Sequence, residues 1–591
     1  MKKMLSLLAA AAAVLSCGMT AALAQDHEPI TIMDANRDYT KLIELVHETY
    51  PEINIEIEAY KGRNTSAYMK RQLETGSMPD IYCTTQAWDD ELQKEHLVDL
   101  SQYAVSELYN QVRLNEYDVE GGIYLLPYDY NIIGITYNKS LLERNNIAVP
   151  TSFAQLRDET IPALNAAGIE ISNCLVNLPG SMFQFFFQIS RTEYTNTLEG
   201  RAWLKNFVNG DAVAAEGLRQ SVELFQKWID CGMVNMNYGK MEDRGLTEHF
   251  AQGNTAFWLG MLSRFTQNSD GTGDEYALMP YLSEDGTHNV YITQISRAYG
   301  LSKELEKPGN EQKLEDALHV LEIMSTNEGY AALIGDISSS MCAIKEFKLP
   351  EDSAYASAIP EINDGYCAPL IYVGWDDYLV PFGEAVCSWV LGESTGEQAL
   401  QILDNTKREK LAQGVKVYTT VTEELNTEQA AQLSGQMFLE ATGADAALIS
   451  YNIYQPEVLS NMENGYGANG RILIGEMSEE DITIFLPTGW YDTLQVATLS
   501  GARIKELAKV GCDLRDNGHP YPYVFMTKDG EPLEDDAEYT VVICGYSKAH
   551  RDEVNFQDTG IVGLDAAKAY LEHVDELSSQ TLDESLVQHV E

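Results

Sequence analysis

The sequence predicts an α/β fold with mostly parallel sheets, followed by a C-terminal region of different character. Three observations carry this. From residue 30 onward, short apolar strands alternate with amphipathic helices, the pattern of parallel strands joined by helical crossovers. At 591 residues the chain exceeds one domain, and roughly three to four units are expected. Its hydrophobic fraction of 45% and charged fraction of 22% are ordinary for a globular protein.

Residues 1–24 read as a secretory signal. Lys2 and Lys3 supply positive charge, residues 5–15 are apolar, and Ala22-Leu23-Ala24 offers a small-x-small cleavage site before Gln25. The apolar run is shorter than the roughly 20 residues that span a bilayer. A second reading takes Val14-Leu15-Ser16-Cys17 as a lipobox, with Cys17 lipidated and anchoring the protein to a membrane. Both readings export the chain to an extracellular or periplasmic location, and no later segment has the length and apolarity of a transmembrane helix. The mature chain then opens as a βαβ unit. Residues 30–33 form a short strand, and Leu42, Ile43, Leu45 and Val46 follow at helical spacing. Ile53, Ile55, Ile57 and Ala59 alternate with polar residues as a strand does. A second helix over residues 66–75 ends at Gly76, and Pro79-Asp80-Ile81-Tyr82 enters a third strand. In such sheets ligands bind at strand C-terminal ends, here the loops 34–38 and 84–88, which carry Asp38 and Trp88.

Residues 122–150 are the most informative stretch. An aromatic and a proline, Tyr124 and Pro127, lead into an apolar strand over residues 132–137; Asn138-Lys139 closes it, and a short helix follows. Through Tyr124, Pro127, Tyr128, Gly134, Tyr137, Asn138, Lys139 and Leu141 this segment resembles the hinge-crossing segment of family 1 extracellular solute-binding proteins, the capture subunits of ABC importers. Two further stretches are similar to that family. Residues 247–259 carry Phe250, Gly253 and Ala256 at its spacing, and residues 300–303 precede a helix over residues 310–326. The resemblance covers residues 26–414. It implies a two-lobed periplasmic-binding-protein (Venus-flytrap) fold over residues 25–414 that closes on a small solute and delivers it to an ABC permease. Sugars, with apolar CH faces and dense hydroxyls, are held by flat aromatic rings and carboxylates. The candidates of those types near strand ends, turns and the crossover are Asp38, Trp88, Asp129, Tyr130, Trp258, Trp375 and Asp376. A carbohydrate is therefore the expected solute.

Residues 415–427 form a polar, threonine-rich connector without proline or glycine, expected to be at least partly ordered. Beyond it, Ala441-Thr442-Gly443-Ala444-Asp445 precedes an apolar strand over residues 446–449. Gly475-Glu476-Met477 leads to the apolar segment 482–486, residues 494–499 follow, and Gly501-Ala502 opens a helix to Val510. A Gly530-Glu531-Pro532-Leu533 turn precedes a strand over residues 539–544. This series resembles the C-terminal domain of 5′-nucleotidases, an α+β unit expected over residues 428–591. In that family the domain holds the base and sugar, and a separate metallophosphatase domain performs hydrolysis. Its D-x-H and G-N-H-[DE] motifs, which cluster ligands for two metal ions, do not occur here. The ten histidines are dispersed. The nucleotide-holding positions also differ: Ser450-Tyr451-Asn452 stands where the family has N-G-G-x-R, and Leu486-Pro487-Thr488-Gly489-Trp490 where it has L-P-F-G-N. Trp490 and Tyr546 are left as rings that could stack on a base. No catalytic residue, cofactor or metal site is assigned. A nucleotide hydrolase of unrecognised chemistry and a surface sensor that binds solute without transport stand as rival readings.

Forty basic residues against 90 acidic ones give a net charge of −50. Such a surface repels nucleic acid and anionic lipid, which excludes both as partners. The eight cysteines after Cys17 show no CxxC or metal-ligand spacing; an even count in an exported chain permits disulfides, with Cys342–Cys367 the pair to check, but in a chain this long scattered buried thiols are the expectation.

Overall fold

A computed structural model describes residues 27–34, 37–60, 64–85, 90–174, 179–237, 243–261, 273–335, 341–348, 355–356, 358–371, 374–451, 467–487, 492–510, 512–513, 520–544 and 554–590. The expected leader with Cys17, and also Trp88, Trp490 and Tyr546, lie outside these residues.

The expected βαβ unit is present. Strand β1 (Ile30–Asp34) pairs in parallel with β2 (Ile55–Ala59) and with β3 (Ile81–Thr84), joined by the helices Thr40–Thr49 and Thr65–Thr75. A small hairpin, β4 (Asp118–Val119) and β5 (Gly122–Ile123), then leads into β6 (Leu126–Asn138). At 13 residues β6 is longer than the strand expected over 132–137, because it takes in Leu126 to Asn131 and Asn138 as well. The remaining strands of this sheet are β7 (Glu170–Cys174), β8 (Thr255–Met261), β9 (Tyr276–Met279), β10 (Tyr291–Leu301), β11 (Met341–Cys342) and β12 (Cys367–Pro369). They complete a ten-stranded sheet with the path β2-β1-β3-β10-β6-β8-β7.

The sheet is mixed, which corrects the expectation of mostly parallel pairing. Strand β10 runs antiparallel to both β3 and β6, and β6 runs antiparallel to β8, β9 and β11. The reason is topological: the chain passes through the middle of the sheet on β6 and returns beside it on β10, so the two longest strands oppose each other.

Burial divides this continuous sheet into two lobes. Tyr130 and Ile132 of β6 belong to one apolar core, Ile133 and Ile135 to a second. On β10, Ile295 and Ala298 lie in the first core and Ile292 in the second, while Tyr291 on the other face returns to the first; on β12, Cys367 falls in the first and Ala368 in the second. The second core is dominated by aromatic side chains of the helix Pro179–Ser190 packed against Ala214–Asp230, Asp376–Val390 and Gly396–Gln413. Gly134 sits just past the division on β6. A Cβ there would lie 2.5 Å from the Met279 carbonyl oxygen, so the closeness of β9 requires glycine.

Beyond Gly414 the chain builds a third unit. The expected connector contributes a strand, β13 (Thr419–Val421), to a three-stranded sheet with β15 (Gly475–Met477) and β22 (Glu576–Leu577). A five-stranded sheet holds β14 (Ala446–Ser450), β16 (Thr493–Ser500), β19 (Tyr523–Thr527), β20 (Glu538–Cys544) and β21 (Gln557–Val562), in the order β19-β14-β20-β16-β21; β17 (Cys512–Asp513) and β18 (Pro520–Tyr521) pair separately. Alternate residues of β14 and β20 enter different cores. Ala447, Ile449, Val542 and Cys544 face one side, and Ala446, Leu448, Val541 and Ile543 the other. The helices Thr427–Thr442 and Gly563–Leu571 join the first of these cores and Gly501–Val510 the second, which is why these strands read as unbroken apolar runs.

Candidate functional site

The loop after β1 meets the two crossing strands in a buried polar network. Asp34 ends β1, and Arg297 of β10 grips its carboxylate with Nε to Oδ2 at 2.9 Å and Nη2 to Oδ1 at 3.1 Å. Tyr39 donates to the same Oδ2 at 2.9 Å, and its hydroxyl lies 3.0 Å from that of Tyr299. Burial, with the Asp34 carboxylate adding to it, holds the Tyr39 hydroxyl well above its usual range. Burial alone would lower Arg297, but Asp34 outweighs it and keeps the guanidinium charged. This fork fixes the end of β1 against β10.

Arg37 extends from that loop toward β6. Its Nη2 lies 3.7 Å from Asp129 Oδ2, and Nη1 donates to the Ile334 carbonyl at 3.3 Å. Tyr330, from the helix Asn327–Ile334, donates to Asp129 Oδ1 at 3.0 Å. Asp129 is 6% exposed; burial pushes its carboxyl up, and Tyr330, Arg297 and Arg37 oppose that shift. Among the described residues Arg37 Nε is buried without a hydrogen-bond partner.

The next residue points to the opposite face, as strand alternation requires. Tyr130 is buried, and its hydroxyl has no partner among the described residues. Burial holds that hydroxyl above its usual range, and the Arg113 guanidinium opposes the shift. Arg113 Nη2 donates to the Ile362 carbonyl at 3.0 Å and contacts Cys367 Sγ at 2.6 Å and Glu116 Oε1 at 3.1 Å. Burial raises the Glu116 carboxyl despite Arg113, and it pushes the Cys367 thiol up to about 12. Cys342 and Cys367 are both free thiols, so the pair singled out in the sequence is not a disulfide.

Beside Asp129 and Tyr130 the strands carry half-buried polar residues, Asn131 on β6 opposite Gln294 on β10, with Asn131 Nδ2 donating to Ser296 Oγ at 3.1 Å. The lobes also approach through the exposed pair Lys205 and Asp90, 3.5 Å apart.

Of the candidates read from the sequence, Asp129 and Tyr130 stand at this crossing. Asp38 lies one residue from Arg37, but its Oδ1 accepts from the Thr40 amide at 2.9 Å in the turn that leads into the helix Thr40–Thr49. Trp258 and Trp375 are corrections. Trp258 is 0% exposed and packs on Phe250 at 5.6 Å; Trp375 is 3% exposed, stacked on Phe207 at 5.1 Å and edge-on to Phe187 at 5.0 Å. A ring enclosed by other rings presents no face to a sugar. Asp376 is exposed at the start of the helix Asp376–Val390, near Lys70 rather than Asp129. Sequence reasoning missed Arg37, Tyr330 and Arg113. Tyr330 lies some 200 residues from Asp129, and only the fold joins them. Arg37, next to Asp38 in a loop at a strand end, was accessible to that reasoning. Among the described residues no three His, Cys, Asp or Glu side chains could hold a metal ion, and no helix is long and apolar enough to cross a membrane.

No protein-family model matches the chain, and no curated protein matches it. Solved structures do. The apo form of RafE from Streptococcus pneumoniae aligns at 16% identity and a TM-score of 0.53 over 65% of this chain and 98% of RafE. A family 1 extracellular solute-binding protein from Bifidobacterium longum subsp. infantis aligns at 12% identity and a TM-score of 0.52, over 65% and 99%. The bacterial solute receptor AcbH, described as having an exclusive preference for β-D-galactopyranose, aligns at 11% identity and 0.52, over 65% and 98%. About two thirds of the chain therefore shares the two-lobed mixed α/β fold of extracellular solute-binding proteins.

Proposed function

We propose that this protein is an exported receptor that captures a carbohydrate between its two lobes and hands it to an ABC permease in the membrane. The observation that carries the reading is the division of β6, β10 and β12 between two cores, with Asp129 and Tyr130 just ahead of the division. Strands shared by two cores let the lobes move about a short segment, and a solute touching both lobes favours their approach. Asp129 would accept hydrogen bonds from sugar hydroxyls, with Arg37 and Tyr330 fixing its carboxylate; Trp88 belongs to the proposal by its place after β3 in the sequence. The sugar preference stated for AcbH supports the choice of solute class.

The C-terminal unit is proposed as a 5′-nucleotidase-like domain that binds or packs and does not hydrolyse. Incubation with AMP and UDP-glucose plus Mn²⁺, Zn²⁺ or Co²⁺ is expected to release no phosphate or nucleoside. Chelator-sensitive turnover that survives repurification would instead establish an enzyme. The receptor reading is tested by a thermal-shift screen of the whole protein against mono- and oligosaccharides, nucleosides and nucleotides. A ligand at 100 times its Kd stabilises by about 2.7 kcal/mol. A shift with nucleosides and none with any sugar would reject the carbohydrate assignment.

A further inference from the structure

The C-terminal unit is joined covalently to one lobe and docked on the other. The helix Gly396–Gln413 belongs to the second lobe, with Leu400 and Leu403 in its core, Lys407 lying 4.3 Å over the Phe207 ring and Lys410 paired with Asp377. The chain next touches the C-terminal unit through an exposed pair of Lys416 with Glu572, and its backbone is first held there at Tyr418, whose amide donates to the Met477 carbonyl at 2.9 Å. Val415 and Val417 between these points are 78% and 42% exposed. The five Cα steps from residue 413 to 418 reach about 18 Å at most.

The same unit is seated on the first lobe. Arg471 donates from Nε and Nη2 to the two carboxylate oxygens of Glu58 at 3.1 and 3.2 Å, from Nη1 to Glu424 at 2.7 Å, and from Nη2 to the Ser77 carbonyl at 2.9 Å. Tyr68 also donates to Glu58. Tyr60 donates to the Ile484 carbonyl at 3.0 Å, and Arg71 to the Ile474 and Glu476 carbonyls at 3.1 and 2.9 Å. Leu473 and Ile484 are members of the first lobe's own core, so the two parts share apolar packing as well as charge. Lys70 of the first lobe lies 3.8 Å from Glu480 of the C-terminal unit.

We infer that the C-terminal unit is a bracket that limits how far the two lobes can part. It moves as one body with the first lobe, while the short strap over residues 414–417 holds the end of the second lobe's last helix close to it. Opening then proceeds by rotation about the strap and the crossing strands, and wide separation at this edge requires either breaking the Arg471 seat or lengthening the strap. This holds whatever solute the cleft takes, so it can fail or stand independently of the carbohydrate proposal.

The test uses spin labels on unnatural side chains introduced at the exposed positions Glu48 in the first lobe, Glu223 in the second and Glu531 in the C-terminal unit of the full chain. In the otherwise unaltered protein a narrow 48–531 distance distribution is expected. Ten glycine and serine residues inserted between Gly414 and Val415, which leave every packed residue in place, are expected to extend the 48–223 distances beyond their original range while 48–531 stays narrow. Arg471→Ala is expected to broaden 48–531. A 48–223 distribution unchanged by the insertion, or a 48–531 distribution already broad without any change, would overturn the bracket.

Discussion

Asp129 shows how one side chain acquires a role from its surroundings. Its carboxylate is enclosed between Arg37 and Tyr330, which keep it in place where burial would otherwise favour the neutral acid. Asp129→Asn keeps the shape but removes the charge. It is expected to leave the fold intact and weaken the sugar found by the screen at least tenfold by calorimetry, in line with the roughly 1.5–3 kcal/mol of a charge-assisted hydrogen bond. Unaltered affinity would move the site elsewhere. Trp375 makes the opposite case. Packed among Phe183, Phe187, Phe207 and Tyr378, it behaves as a core residue. Trp375→Ala is therefore predicted to cost about 3–5 kcal/mol of stability, read from the denaturant midpoint. A weakened sugar affinity at full stability would restore the ring to the site.

At the scale of elements, the early βαβ unit was legible because periodicity, Gly76 and the alternation of residues 53–59 are local signals. The helix expected at residues 310–326 appears as Glu311–Met324 for the same reason. What could not be read was the direction of β10 and the reach of β6, since pairing between strands some 160 residues apart is set by packing of both lobes and not by either sequence alone. At the proposed site, Asp129 and Tyr130 were legible as candidates because the hinge motif lies beside them, whereas Tyr330 reaches Asp129 from a helix whose pattern signals only burial. The tryptophans misled because an aromatic at a strand end and one in a core have the same local sequence. Gly134 offers a check at this scale. Gly134→Ala sets a methyl against the Met279 carbonyl, so β9 must give way, at a predicted cost of about 1–3 kcal/mol in thermal or denaturant unfolding. A neutral effect would mean that β9 is less firmly held than its pairing with β6 implies.

For the whole molecule, the seat of the C-terminal unit alters what a shortened chain should do. Ending it at Gly414 keeps both lobes' strands and helices but removes Leu473 and Ile484 from the first core and leaves Glu58 without Arg471. The shortened protein is predicted to fold and to bind the same sugar, but to melt at a lower temperature than the full chain. An insoluble product would mean that the first lobe cannot form without the unit behind it. The first core also has a consequence for synthesis. It joins Ile30, near the start of the described chain, to Ile484, far along it. At roughly 5–20 residues per second a ribosome needs about 20–90 s to travel between them. During that interval the earliest strands exist without their last packing partners. A chain that completes its first core so late spends that interval with the apolar seat for Leu473 and Ile484 open to solvent.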